Sequence, residues 1–248
     1  MKEAQEEFIR YTNDYLEYGT MITLKINHTN RVVDLCEQLA KSLNLTEKET
    51  HIAKIIGLLH DIGRFEQWKN YKSFKDYETI DHASLGIEIL KKNNFLRKFI
   101  KDNSYDDIII KSIEYHNKFS IPDDLDEKEE MFVKLIRDAD KLDILYLYID
   151  KEIDLPMDNE FTSNTYQIIM QGKSVNRPSL KTKTDKLSVS LGFVFDINYK
   201  YSFNYLKEKN YYNEIIDYYS TKLDNELFKK QLEEIRKKIN NYIEVNLC

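Results

Sequence analysis

Apolar positions along this chain recur at intervals of three and four residues and seldom alternate, the pattern of helices with one buried face. A first helix is expected over about 3–19, ending near Gly19, and a second over about 27–43, where His28, Val32, Leu35 and Leu39 share a face. The stretch TEKE, Thr46 to Glu49, has capping-box spacing and opens a third helix that runs to about His60. Residues 62 to 80 read as irregular, with Phe65, Trp68, Tyr71, Phe74 and Tyr77 set between charges. Asp81 then caps a short helix that carries His82 and reaches Lys92. A helix over about 106–117 places Ile109, Ile113 and His116 on one side, and a long one over about 126–150 aligns Val133, Ile136, Asp140 and Ile144. After Pro156 a short helix to Gly172 is followed by a polar loop, Ser174 to Lys186, and by further helices over 187–246.

With only six Gly and three Pro to break the chain, the fold class read from this pattern is all-α. Residues 1–150 are expected to form a helical core. Residues 151–248 are expected to form a mostly helical extension packing on it, as a specificity or dimerisation element of a homodimer.

Composition narrows the function. At 248 residues the chain can bury a sizeable core without covalent staples, and its two cysteines, Cys36 and Cys248, make no disulfide framework. Charges are mixed, 37 basic against 43 acidic for a net of −6, with no basic stripe of the kind that nucleic-acid binders carry. The one locally basic stretch, Lys173 to Lys186, reads as a solvated loop or a phosphate-attracting lid. The acidic start lacks an apolar signal region, and no stretch approaches the roughly 18 apolar residues of a membrane span. A cytoplasmic protein with no membrane partner is expected.

The five histidines carry the chemistry. His51 and His60 are nine residues apart, which at about 100° per residue puts them half a turn out of phase. His51, among Glu49, Thr50 and Lys54, reads as a surface residue. The other four each end or interrupt an apolar face on a separate helix: His28, His60 beside Asp61, His82 and His116, with Asp140 on the apolar face of a sixth. Burying so many ionisable groups is costly unless they share a compensator, and a divalent cation suits imidazole and carboxylate alike.

In this order, with LLHDIG after an apolar helix and DADKLD farther on, these residues resemble the HD-domain superfamily of metal-dependent phosphohydrolases over roughly residues 20–150. The resemblance implies an all-helical fold in which His28, His60, Asp61 and Asp140 bind one metal. In two-metal members such as the HD-GYP phosphodiesterases, two further histidines bind a second ion; His82 and His116 hold those places, and Asp61 would bridge. Asp140 rather than Asp138 is taken as the ligand because the family's aspartate precedes a basic residue, here Lys141. The implied cofactor is one or two divalent ions, with Mn, Fe, Ni, Co, Zn and Mg undistinguished. A hydroxide formed from water on such ions is the implied nucleophile on phosphorus.

Arg64 stands where HD-GYP proteins have the lysine of HDIGK, and a guanidinium can grip phosphate with two parallel bonds. Arg31, one turn after His28, and Lys141 are the other candidate phosphate contacts; each of the three cations has an ion pair with a nearby carboxylate as its plainer role. Glu66 is a candidate for orienting a ligand histidine. The aromatic stretch Phe65 to Tyr77 is read either as a wall for a planar group or as packing. The chain lacks the GYP element and any guanosine-tetraphosphate hydrolase signature. The expected function is a divalent-metal-dependent phosphomonoesterase or phosphodiesterase acting on a nucleotide or other small phosphate ester. The alternatives are a di-iron oxygenase on the same core and a silent nucleotide-binding module.

Overall fold

A computed structural model describes residues 1–248 as helices joined by loops and short 3-10 turns, with no strand. The chain divides into two compact units, Met1–Asp140 and Lys141–Cys248.

In the first unit α1 (Lys2–Asn13) is followed by α2 (Thr20–Ser42), α3 (Glu47–Leu59), α4 (Ile62–Tyr71), α5 (His82–Lys91) and α6 (Asp106–Tyr115), and α7 spans Glu127–Ile149. The apolar run of α3 explains its place. Ile52, Ile55, Ile56, Leu58 and Leu59 are all essentially inaccessible, and each such side chain contributes about 1.5–3 kcal/mol on burial. Gly57 lets α2 come close, since a Cβ there would stand 3.0 Å from Cys36 Sγ and 3.2 Å from Val33 Cα. At the start of α3, Thr46 accepts from the Glu49 amide and Glu49 accepts from the Thr46 amide, the expected capping box. Asp81 likewise accepts from the Ser84 amide and caps α5.

Three boundaries differ from the sequence pattern. The first helix stops at Asn13, and a 3-10 turn over Leu16–Tyr18 leads to Gly19 at φ 98, a conformation that ends the segment early. The second begins at Thr20 rather than near residue 27, because full burial of Ile22 outweighs the weak helix propensity of the β-branched residues around it. Residues 62–71 are helical rather than irregular. Phe65, fully buried, packs its ring on Phe8, Tyr11 and Tyr15, so this part of the expected aromatic wall is core. Trp68 and Phe74 stack with ring centroids 4.8 Å apart.

The second unit holds α8 (Ser163–Met170), α9 (Asp185–Leu191), α10 (Lys200–Lys209), α11 (Tyr211–Ser220) and α12 (Glu226–Leu247). The polar segment 174–186 does not end as a solvated loop. Asp185, fully buried, accepts from the backbone amides of Thr162, Lys181 and Thr182 and from the hydroxyls of Thr162 and Thr165. Burial works to raise the Asp185 pKa, but these bonds outweigh it and hold it below the usual carboxylate range. Its stabilising contribution is therefore complete above about pH 4, the ordinary unfolded value, and declines as pH falls through the lower folded value. Asp185→Ala strands several buried donors at once and is expected to destabilise the chain by about 3–5 kcal/mol, read as a lower urea midpoint.

No helix is long and apolar enough to cross a membrane.

Candidate metal centre

Six helices bring four of the five histidines and two aspartates to one place. His60 is the residue that closes α3, Asp61 precedes α4, His82 opens α5, and His116 closes α6. His28 lies within α2 and Asp140 within α7. His28, His60, Asp61, His82 and His116 are buried, whereas the Asp140 side chain is 16 % exposed, so solvent reaches the cluster on the Asp140 side.

Asp61 turns its two oxygens to different histidine pairs. Its Oδ2 lies 3.5 Å from His28 Nε2 and 3.8 Å from His60 Nε2. Its Oδ1 lies 3.2 Å from His82 Nε2 and 3.9 Å from His116 Nε2. Asp140 Oδ1 faces the first pair, 3.2 Å from His28 and 3.7 Å from His60. Two sets therefore have donor atoms close enough for one ion: His28, His60 and Asp140, and His60, Asp61 and His116. His82 stands against the second, 3.0 Å from His116.

The histidine geometry tests whether a cation fits. His116 Nδ1 donates to the Ile113 carbonyl at 2.6 Å, because a carbonyl can only accept, and His82 Nδ1 donates to Asp76 Oδ2 at 2.8 Å. With both Nδ1 protons assigned this way, two neutral rings would oppose lone pairs at Nε2 across 3.0 Å. Only a proton or a metal ion between them relieves that contact. His60 repeats the arrangement, with Nδ1 on the Gly57 carbonyl at 2.7 Å and Nε2 3.3 Å from that of His28. Burial, reinforced by the neighbouring His82 and His60, lowers the His116 pKa to about 3, which leaves a neutral ring with a lone pair to offer. Nitrogen-rich donors with carboxylates suit a divalent transition metal.

Burial opposes ionisation of Asp61, but Lys25 beside it, the imidazoles of His60 and His82 and the Arg64 guanidinium hold its pKa well below the usual range. Asp140 is held down in the same sense: burial opposes, and the facing imidazoles of His28 and His60 prevail.

The cations are placed unevenly. Arg64 Nη1 donates to Gln67 Oε1, the Phe74 carbonyl and Asp76 Oδ1 at 2.7–2.8 Å, while its buried Nε lies 3.4 Å from Asp61 Oδ1. Lys141 is paired with Asp196 at 2.8 Å in the second unit. Arg31 is half-buried on α2. Glu66 turns away from the histidines and accepts from the Tyr15 hydroxyl at 2.8 Å. Asp138, the aspartate passed over in favour of Asp140, is fully buried. His51 stands apart and is half-buried rather than on the surface; it lines a cavity of about 470 Å³ between α1, α3 and the segment 98–102.

Two residues at the centre escaped the sequence pattern. Lys25 donates to Asp61 Oδ2 at 2.7 Å and lies over the Phe74 ring. Its signal was its place three residues before His28, on the same helix face once α2 is known to start at Thr20. Asp76, which accepts the hydrogen bond from His82 Nδ1, sits in a 3-10 turn over Asp76–Glu78 and had no local signal.

Residues 26–145 match the family model described as HD domain. No curated protein and no solved structure matches the chain.

Proposed function

Through residues 26–145 the chain belongs to the HD-domain superfamily of metal-dependent phosphohydrolases, and on that premise we propose that it hydrolyses a small phosphate ester, most fittingly a nucleotide, with divalent ions held by its His/Asp cluster. One observation carries the reading: Asp61 offers one oxygen to His28 and His60 and the other to His82 and His116. A carboxylate so placed is suited to serve two ions. Under this reading His28, His60, Asp61 and Asp140 hold one, and Asp61, His82 and His116 a second. When bound, such ions supply Lewis acidity and make hydroxide available near neutral pH.

The chain's own residues set the conditions for that chemistry. The carbonyls of Gly57 and Ile113 fix which nitrogen of His60 and His116 faces inward. Lys25, Arg64 and Arg31 supply positive charge for an anionic substrate, with Arg64 also bound to the turn that follows α4. Lys141 would reach phosphate only in competition with Asp196, its present partner. The imidazoles favour Fe, Co, Ni or Zn over Mg, and the two carboxylates also admit Mn.

The test is phosphate or product release from a panel of phosphate monoesters and diesters, nucleotides included, with manganese, nickel, cobalt or iron(II). Turnover that requires added metal and stops with chelator is expected, and the substrates cut will separate monoesterase from diesterase. Silence across the panel, with oxygen uptake by the iron-loaded protein or nucleotide binding without product, would overturn the proposal.

A further inference from the structure

The histidines of the cluster are anchored by different means. His60 and His116 each rest on a backbone carbonyl three residues earlier in their own helices, an anchor that no side-chain substitution removes. His82 rests on a side chain instead, Asp76 Oδ2 at 2.8 Å. Asp76 is in turn held from α4, its Oδ1 accepting from Arg64 Nη1 at 2.7 Å and from Gln67 Nε2 at 3.0 Å. Gln67, fully buried, also donates to Thr79 Oγ1 and the Ile80 carbonyl, both at 2.9 Å, and so fastens the whole turn to α4. The contacts close a circuit: Asp61 to Arg64, Arg64 to Asp76, Asp76 to His82, and His82 Nε2 back to Asp61 at 3.2 Å.

We propose that Asp76 is a positioning residue for one half of the centre: it orients His82, and through Arg64 ties that ring to Asp61, so that an ion between His82 and His116 depends on a carboxylate outside the six donors. The inference rests on the metal reading above and adds to it. A hydrogen-bonded carboxylate behind a ligand histidine fixes the ring and raises its basicity, and losing such a partner typically costs 10–100-fold in metal affinity. The other ion would lie among His28, His60, Asp140 and the far oxygen of Asp61, and His60 there is anchored on the Gly57 carbonyl of its own helix instead of on this turn. The two positions should therefore respond differently to the same substitution.

Manganese(II) binding to the full chain, followed by calorimetry and by metal content after desalting, tests this. Wild type is expected to take two ions. Asp76→Ala should keep one with its affinity unchanged and bind the other about 10–100-fold more weakly. Asp76→Asn, whose amide oxygen still accepts from His82 but no longer balances Arg64, should fall between, and it decides the matter alone if the alanine variant does not fold. Two ions at wild-type affinity in both variants would overturn the proposal. So would equal weakening of both positions, the mark of general damage, or a wild type that takes only one ion. A wild-type chain that takes up no manganese would instead bring down the metal reading itself.

Discussion

Asp61→Ala is expected to abolish metal-dependent phosphate release, by about 10³-fold or more, while the helical signal in circular dichroism stays that of the wild type. The size follows from what the side chain is asked to do. Losing the group shared by both histidine pairs forfeits several kcal/mol of Lewis-acid stabilisation, and about 4 kcal/mol is already a factor near 10³ in rate. The helices should survive because Asp61, although it precedes α4, makes no side-chain capping bond to it. What the substitution removes is the counter-charge of Lys25 at 2.7 Å and of Arg64 at 3.4 Å. Bound metal, measured alongside rate, should fall with it. Full turnover in Asp61→Ala would rule out the proposed chemistry.

Gly63→Ala should be as damaging by a different route. A Cβ at Gly63 would stand 2.2 Å from the His82 carbonyl oxygen and 2.7 Å from the Gly86 amide nitrogen. Both are backbone atoms of α5, so no rotamer change relieves the clash and α4 must move away from α5 as a body. Overpacking of this kind costs upward of 1–3 kcal/mol, and here about 3 kcal/mol or more is expected, seen as a lowered urea midpoint. The movement also carries Asp61 away from His82, so metal retention should drop with stability. Gly86→Ala is the internal comparison. Its Cβ meets Ile62 Cγ2 at 3.2 Å and Gly63 N at 3.3 Å, contacts that small shifts absorb, and its loss of stability should be clearly smaller.

Both predictions concern residues of a dipeptide and a glycine visible in LLHDIG, and it is instructive which parts of the fold were legible there. The helical class, the capping box at Thr46 and the Asp81 cap follow from local rules that act within four residues, and the structure has them as expected. The histidines and aspartates were found because each interrupts an apolar face, a departure from pattern that needs no partner to be noticed. Helix α4 was missed for the converse reason. Its aromatic residues have middling helix propensity, and what holds them helical is distant: Phe65 against rings on α1 and in the turn that follows it. Asp76 and Asp185 are hidden in the same way. Each looks like an ordinary loop acid until the tertiary fold supplies His82 to one and the amides of Thr162, Lys181 and Thr182 to the other.

The spread of the cluster along the chain has a consequence for how the protein is held together. Its first and last members, His28 and Asp140, stand more than a hundred residues apart in sequence yet 3.2 Å apart in space. No helix of the first unit supplies more than one of the six donors, so an ion taken up by the whole set engages the native state and finds no equivalent among unfolded chains. Mass action then turns metal supply into stability: free ion at about 100 times its dissociation constant adds roughly 2.7 kcal/mol. Under the proposed reading the ion acts as a reversible cross-link between distant parts of the chain, and scarcity of metal would limit the lifetime of the folded protein as well as its rate of turnover.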